Sequence, residues 1–322
     1  MPSLEKITYL LHSGQQENIE MALLLAKSQG VSLDLAPYKH LFNWLQELNV
    51  VQEWEEEADL LVQLLNIEVL NLSYSRIQHL PVSISCLVNL HSLLLNGNQL
   101  TELPPSLGEL PKLRCLMLSS NYLKDLPQSL AQLSHLVYLD LSKNLLKELP
   151  LVIPKIASLE RLFLNDNLLQ KLPASLQQLQ QLHYLNVSHN QLWSLPEWTA
   201  SWQQLQQMDL SHNQLQQLPL SFGSWFTLKA LNLAKNCLQQ LPASMQQLKK
   251  IEKLSLSFNQ LSEIPPVLLY LKSLTHLDLS LNQLQHFPVS RKELPALEQL
   301  CIHNNPLQQL PTEWQDVISP NC

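Results

Sequence analysis

A 23-residue repeat constrains the fold of this chain more than any other feature of its sequence. The pattern LxxLxLxxNxLxxLP recurs without a change of register from residue 67 to residue 311, and only Ser75 departs from the Asn position. The eleven units begin at Ile67, Leu90, Leu113, Leu136, Leu159, Leu182, Leu205, Leu228, Ile251, Leu274 and Leu297. Such a repeat is typical of solenoid proteins, in which each unit packs against its neighbours.

The repeat at residues 159–181, LERLFLNDNLLQKLPASLQQLQQ, illustrates what one unit predicts. The alternation around Leu162 and Leu164 predicts a short strand whose leucines face the core while the residues between them face solvent. Asn167 follows where the chain must turn, so its amide can satisfy buried backbone groups there. Pro173 ends the extended segment, and the leucines after it predict helical turns or short 3-10 helices on the far side. Narrow strands in front of wider helical pieces predict a concave parallel sheet.

This pattern resembles the 23-residue class of leucine-rich repeats in intracellular proteins of bacteria and eukaryotes, including Ras-suppressor and scribble-like proteins. The resemblance implies an α/β fold, a right-handed solenoid or horseshoe with a concave parallel β-sheet and 3-10 or short helices on the convex side. It also implies a surface that is used for protein-protein contact.

Both ends of the chain depart from the repeat, as expected of caps that cover the open ends of a solenoid. We predict an N-terminal α-helical cap at 1–66, eleven repeats at 67–311 and a short tail or cap at 312–322. The predicted cap helices are 4–11, 18–29, 37–48 and 53–65. An alternative makes this segment an adaptor with an acidic docking patch at Glu53, Glu55, Glu56, Glu57 and Asp59, although such a run is usually a solvated helix face. At the C-terminal end, Trp314, Val317 and Ile318 are expected to cover the last repeat, with a partner or a second copy of the chain as the alternative cover.

The formal net charge of −7 and the lack of Lys and Arg clusters argue against nucleic-acid binding. The sequence shows no signal-peptide pattern and no apolar stretch of membrane-spanning length, so no membrane association is expected. The five scattered cysteines favour free thiols in a cytoplasmic setting. The alternative is secretion without a cleavable signal.

Motifs for catalysis are missing from the sequence, which contains no GxxxxGK, GxSxG or HExxH segment and no His/Cys cluster at zinc spacing. We therefore expect no enzyme activity, no cofactor and no metal. The predicted function is a scaffold that binds a protein partner. The alternatives are a secreted, host-interacting effector and a self-associating structural solenoid, such as a homodimer.

Residues that point outward from the predicted strands are candidates for partner binding, because the fold does not require their side chains. Aromatic residues and Arg supply most interface anchors, and they gather in repeats two to six. The predicted partner-binding residues are Leu94, Met117, Tyr138, Arg161, Phe163, Tyr184, His189, Asp209 and His212. The alternative is that the apolar members are scattered residues of an ordinary sheet face.

Two further sets of aromatic residues stand out in the repeats. His189 and His212 occupy the same position of adjacent units, which suggests a pH-sensitive or metal-binding pair or a simple duplication of the segment SHNQL. Trp202 and Trp225 replace a core leucine and are predicted to pack inside. Trp193 and Trp198 fall outside the core positions and are interpreted as a lateral contact.

Overall fold

The computed structural model of the chain describes residues 4–198, 202–309 and 312–318. Pro311 of the last repeat and Cys322 of the tail lie outside these residues. The chain divides into two compact units, Met1–Leu139 and Asp140–Cys322. The limits of the three predicted segments, 1–66, 67–311 and 312–322, stay a prediction.

The first unit begins with four α-helices, α1 Leu4–Leu11, α2 Gln16–Ser28, α3 Ala36–Glu47 and α4 Glu57–Leu65. The predicted helices are confirmed, with ends that shift by a few residues. The largest shift is at α4, which begins at Glu57 because Glu56 and Asp59 form a reciprocal capping box there. Two residues of the predicted acidic patch therefore have a structural role in starting this helix.

The helical segment is attached to the first repeats by side-chain hydrogen bonds. The Asn89 amide donates to the carbonyls of His12 at 3.2 Å and Leu65 at 2.8 Å. The ring of His40 in α3 lies 3.0 Å from the hydroxyl of Ser83. A buried cluster of Ile7, Ala22 and Ala26 holds α1 against α2, so the segment also has a core of its own.

Eleven short strands follow among the described residues and form one sheet in which the strand order equals the chain order. They are β1 Val69–Asn71, β2 Ser92–Leu94, β3 Cys115–Met117, β4 Tyr138–Asp140, β5 Arg161–Phe163, β6 Tyr184–Asn186, β7 Gln207–Asp209, β8 Ala230–Asn232, β9 Lys253–Ser255, β10 His276–Asp278 and β11 Gln299–Cys301. The strands pair in parallel, and Leu162 stands beside Leu185. The middle residue of every strand is buried, which confirms the predicted register.

Short 3-10 helices follow most of the strands, as the proline and the leucines after it predict. They are Val82–Cys86, Pro105–Glu109, Gln128–Gln132, Ile153–Lys155, Ala174–Gln178, Leu220–Ser224, Ala243–Gln247, Pro266–Tyr270 and Thr312–Trp314. Leu176 and Leu179, from the repeat analysed above, are fully buried. Together with Leu162 and Leu164 they form the layer of core leucines that each repeat contributes.

The repeated Asn forms the predicted ladder of hydrogen bonds between successive repeats. Asn213 accepts from the backbone N–H of Leu192 at 3.0 Å, and its amide donates to the carbonyls of Val187 and Leu210, each at 3.0 Å. The same contacts recur at Asn190, Asn236, Asn259 and Asn282. The side chain thus satisfies backbone groups that the core would otherwise leave without partners.

The residue before each ladder position has a left-handed backbone, with φ between 51° and 66° from Tyr74 to Asn304. Gly97 is the one glycine among the described residues of this column, and several other positions, such as Phe258 and Leu281, carry side chains that a left-handed backbone disfavours. Each repeat therefore contains one position where glycine is the less strained residue.

We expect Leu281→Gly to raise the free energy of unfolding by about 0.5–1 kcal/mol, because relief of Cβ strain exceeds the added entropy of the unfolded chain. Leu281 has a φ of 54°. Urea unfolding measures the change. Leu151→Gly is the control, since that exposed leucine does not have positive φ and its replacement should destabilise. Equal destabilisation by both changes would contradict the assignment of strain.

The end of the second unit is covered as predicted for Trp314, Val317 and Ile318. The Trp314 ring is fully buried and its indole N–H donates to the carbonyl of Val289 at 2.7 Å. Val317 is buried, and Ile318 pairs with Leu300 of β11 through a parallel bridge. These residues close the described end of the sheet.

Trp198, Trp202 and Trp225 are buried in the core of the second unit, whereas Trp193 is not. Trp202 and Trp225 are fully buried, which confirms their predicted packing role. Trp198 is also fully buried, with its ring 4.9 Å from that of Trp202, so the prediction that it marks a lateral contact is wrong. Trp193 is 48% exposed and lies under the Lys171 ammonium. The indole of Trp198 is long enough to reach the core from a position at which the other repeats carry a smaller residue.

The cysteines only partly match the expectation of free thiols. Cys86 and Cys237 are free thiols, and burial raises the pKa of Cys86 to about 11. Cys301 is disulfide-bonded, so the expectation of a free thiol is wrong for that residue.

Candidate partner-binding face

The first and third residues of each strand face away from the core and form what we call the strand face. In the first unit it carries Leu94, Met117 and Tyr138, all half-buried. In the second unit it carries the exposed Arg161 and the half-buried Phe163, Tyr184 and Asp209. His189 and His212 lie beyond the strands in the left-handed turn positions. Each predicted residue of the strands is thus on the expected side of the sheet.

The third residue of most strands is an Asn or Asp that caps the next turn. The carboxylate of Asp209 accepts from the backbone N–H of Ser211 at 2.9 Å. Equivalent bonds of 2.9–3.1 Å are made by Asn71, Asp140, Asn186, Asn232 and Asp278. The expectation that the fold does not require the outward side chains is therefore wrong at these positions. Asp209, a predicted binding residue, has a structural role.

Leu94, Met117 and Phe163 occupy this third position without being able to cap the turn. In the repeat of Met117, the Asn96 side chain takes over and accepts from the N–H of Ser119 at 2.9 Å. An apolar side chain at this position cannot itself make the turn-capping hydrogen bond, which contributes about 0.5–1.5 kcal/mol. Leu94, Met117 and Phe163 therefore depart from the turn-capping Asn or Asp that most strands carry at this position.

An aromatic pair lies on the strand face of the second unit. The rings of Phe163 and Tyr184 are 4.8 Å apart and tilted by 32°. Arg161, beside Phe163 in β5, is exposed. Burial raises the pKa of Tyr184 above its ordinary value, and the nearby Asp209 carboxylate raises it further, so the phenol stays protonated. The pair offers a flat apolar surface with one hydrogen-bonding hydroxyl and one adjacent cation.

A depression of about 450 Å³ continues the strand face of the second unit from Tyr184 to Cys301. Ala230 forms part of its floor, at a strand position where the neighbouring strands carry Gln207 and Lys253. Asp209 and Asp278 are also on its lining. Sequence reasoning missed this depression, although the small Ala230 among larger residues was a signal for it.

The two histidines stack as their repeat positions suggest. The ring centroids of His189 and His212 are 3.7 Å apart with 19° between the planes. Nδ1 of His189 lies 3.9 Å from the Asp166 carboxylate. The lone pairs of the ring nitrogens lie in the ring planes, so two nearly parallel rings direct them in parallel and not towards one point. This arrangement does not suit two ligands of one metal ion. Within the described part of the chain, no group of three or more His, Cys, Asp or Glu could hold a metal.

We expect the histidine stack to make the fold less stable in mild acid. Burial lowers the pKa of His212 below its ordinary value of 6.5, and His189 and Lys235 lower it further, against a smaller opposing effect of Asp209 and Asp166. The unfolded chain therefore binds this proton more readily. The stability that depends on a neutral His212 is fully present above the pKa of this residue in the unfolded chain. It is lost as the pH falls through the pKa of His212 in the folded chain. In urea unfolding at about pH 7.5 and about pH 5, His212→Asn should reduce the loss seen in the wild type. An unchanged loss would contradict the assignment.

The helices of the described residues include none with the length and apolar character needed to cross a membrane.

Comparisons with known proteins agree with this architecture. The family model for the leucine-rich repeat matches residues 89–146, 203–261 and 249–307, and a second leucine-rich-repeat model matches residues 181–202. Together these ranges cover more than half of the chain. A search of curated proteins gives no match.

Solved structures give three informative similarities. A leucine-rich-repeat protein of Leptospira interrogans is 31% identical, with a TM-score of 0.72 over 83% of this chain and 74% of that one. The ectodomain of the Arabidopsis thaliana receptor kinase GASSHO1/SCHENGEN3, in complex with Casparian strip integrity factor 2, is 34% identical, with a TM-score of 0.60 over 71% of this chain. The plant receptor RGFR1 in complex with RGF2 is 26% identical, with a TM-score of 0.57 over 71% of this chain.

The chain spans 32% and 42% of the length of these two receptor chains, and about three-quarters of the bacterial protein. The repeat pattern, the parallel sheet, the Asn ladder and the matches agree with one another. This chain belongs to the leucine-rich-repeat family.

Proposed function

We propose that this protein is a non-catalytic scaffold that binds a protein partner on the strand face. In the first unit the contact is made by Leu94, Met117 and Tyr138. In the second unit it is made by Arg161, Phe163 and Tyr184. The observation that carries the proposal is the replacement of turn-capping Asn or Asp by Leu94, Met117 and Phe163, because apolar side chains at those positions cannot make the hydrogen bond that holds the next turn.

The chemistry of these residues suits a protein partner. Aromatic residues and Arg dominate the binding energy of protein interfaces, where a few such anchors each contribute about 2 kcal/mol or more. The Phe163 and Tyr184 pair, with Arg161 beside it, is such a group. The depression over Ala230 offers space for a partner side chain next to the pair, since Tyr184 is on its lining. His189, Asp209 and His212 complete the proposed surface, with Asp209 also holding its turn.

Related proteins support the same class of partner. The two plant receptors named above were solved in complexes with Casparian strip integrity factor 2 and with RGF2. Leucine-rich-repeat domains of similar fold thus bind other polypeptides. By analogy, the partner proposed here is also a protein.

Phe163→Asn separates binding from folding, because it places a turn-capping amide where the strands of Asn186 and Asn232 already have one. We expect the free energy of unfolding to change by less than about 1.5 kcal/mol, because the new turn-capping hydrogen bond offsets the lost ring contact with Tyr184. Loss of the aromatic anchor should weaken partner binding by about 2 kcal/mol, or about 30-fold. Affinity chromatography from native extract identifies the partner. Titration calorimetry then measures the affinity of the wild type and of the Phe163→Asn variant for that partner.

The matched control is Phe226→Asn, since Phe226 is 54% exposed and lies outside the strands, after the 3-10 helix Leu220–Ser224. It should leave affinity unchanged. If Phe163→Asn retains wild-type affinity while Phe226→Asn loses it, the binding surface lies elsewhere. If the isolated protein is a dimer that Phe163→Asn dissociates, the strand face serves self-association.

We propose a cytoplasmic location, on the basis of the free thiols Cys86 and Cys237. The disulfide at Cys301 is the observation that favours the alternative, an exported protein that meets a host partner. Fractionation of unlysed cultures distinguishes the two locations. Recovery of the protein in the cell fraction supports the proposal, and its recovery in the medium supports export.

A further inference from the structure

A second open surface lies on the helical segment of the first unit, away from the residues of the strand face. We call it the cap groove and define it by the residues on its lining, which are Glu20, Leu23, Leu24, Ala26, Lys27, Val31, Leu33, Leu35, Ala36, Lys39, Glu56, Glu57 and Ala58. Its volume is about 960 Å³. The groove is open to solvent, so it has room for the side chains of a partner.

The α2 side of the cap groove exposes large apolar residues. Leu24 on its lining is 65% exposed, and Met21, which lies one helical turn earlier and outside the lining, is 52% exposed. Leu23, Val31 and Leu33 continue the lining and are half-buried. A Met and Leu stripe that faces solvent on a short helix is the kind of surface that adapts to a partner's side chains.

The α4 side of the same groove is negatively charged. Glu56 and Asp59 are used in the capping box, and Glu57 pairs with Lys39 at 2.7 Å. Glu53 and Glu55 precede the helix, are exposed and take no part in these contacts. Glu20 adds a carboxylate on the α2 side, and Lys27 is the second basic group of the lining. The lining thus carries three carboxylates, Glu20, Glu56 and Glu57, and two ammonium groups. Glu53 and Glu55 lie outside the lining, just before Glu56 in the chain, and add two exposed carboxylates.

We propose that the cap groove binds a basic amphipathic helix of a partner protein. Apolar side chains of that helix would pack over Met21 and Leu24, and its Lys or Arg residues would face Glu53 and Glu55. Helix-in-groove recognition uses apolar anchors at i, i+3, i+4 and i+7, and the spacing of Met21 and Leu24 along α2 matches such a ridge. The surplus of carboxylates selects a basic helix over an acidic one.

The test uses the full chain and two synthetic helices of about 14 residues with leucines at the same anchor positions. One peptide carries Lys at its polar positions and the other carries Glu, and fluorescence anisotropy measures their affinities. We expect the Lys peptide to bind about tenfold tighter, from two or three partly exposed ion pairs. The double change Glu53→Gln and Glu55→Gln should reduce this preference, and added salt should weaken the Lys peptide.

Leu24→Ser should weaken the Lys peptide about tenfold, because the contact loses most of one leucine side chain. Leu4→Ser is the matched control, since Leu4 is 62% exposed on α1 and is not part of the groove. Both positions are exposed, so both variants should keep the wild-type circular dichroism.

Four results would overturn the proposal. They are equal affinities for the two peptides, no binding of either, equal losses for Leu24→Ser and Leu4→Ser, and a chain dimer in light scattering that Leu24→Ser dissociates. The last result would assign the groove to a second copy of the chain. None of them bears on the strand face, which the Phe163→Asn experiment tests.

Discussion

Asn213→Ala is expected to lower the free energy of unfolding by about 3–5 kcal/mol, because each buried backbone group left without a partner costs about 1–3 kcal/mol. The side chain bonds the N–H of Leu192 and the carbonyls of Val187 and Leu210, and all these bonds are buried. Alanine cannot replace any of them. The loss should appear as a lower midpoint in urea unfolding.

Asn305→Ala provides the matched control for the ladder. Asn305 makes the same kind of bonds, to the N–H of Leu284 and the carbonyls of Leu279 and Ile302, but it is only half-buried. Water can replace part of these bonds, so the loss should be clearly smaller. If both variants lost less than about 1 kcal/mol, the ladder would not be a main source of stability.

Trp225→Ala is the second change with a large expected effect, a loss of about 3–5 kcal/mol from the cavity that it creates. The Trp225 ring is fully buried and lies 5.7 Å from Trp198, 5.5 Å from Trp202 and 4.2 Å from Phe222. The three neighbouring rings are too rigid to fill the cavity that the substitution leaves. Rearrangement of the core therefore restores little of the lost free energy of unfolding. Urea unfolding again gives the measurement.

Two other tryptophan variants calibrate this result. Trp225→Phe should cost less than about 1.5 kcal/mol, because it keeps most of the ring and removes a buried indole N–H that has no hydrogen-bond partner. Trp193→Ala should cost less than about 1 kcal/mol, since that ring is half exposed and contacts one ammonium group. Similar losses for Trp193→Ala and Trp225→Ala would contradict the assignment of Trp225 to the core.

The repeat made most of the fold predictable from the sequence. A shift of one residue in strand pairing would turn Leu162, Leu164 and their equivalents in the other repeats towards solvent. No other register therefore buries the leucines. Helix ends were less predictable. The acidic run predicted a helix from residue 53, whereas α4 begins at Glu57, because the side chains of Glu56 and Asp59 bond the backbone at that point.

The candidate site was predictable in position but not in chemistry. The outward column of residues followed from the strand pattern, but the capping role of Asp209 depends on the turn after the strand. The spacing of Asp209 and Ser211, repeated at Asp278 and Ser280, was the available signal. Trp198 shows the limit of aligning positions, because the length of its ring carries it into the core.

Site-specific photo-crosslinking tests the central claim, that the strand face binds a protein partner, most directly. A photoreactive phenylalanine analogue would replace Phe163 in one sample and Phe226 in another, and each would be irradiated in native extract. The proposal predicts that one protein crosslinks from position 163 and that unlabelled wild-type chain competes it away, with no such product from position 226. A competed product from position 226 and none from position 163 would contradict it.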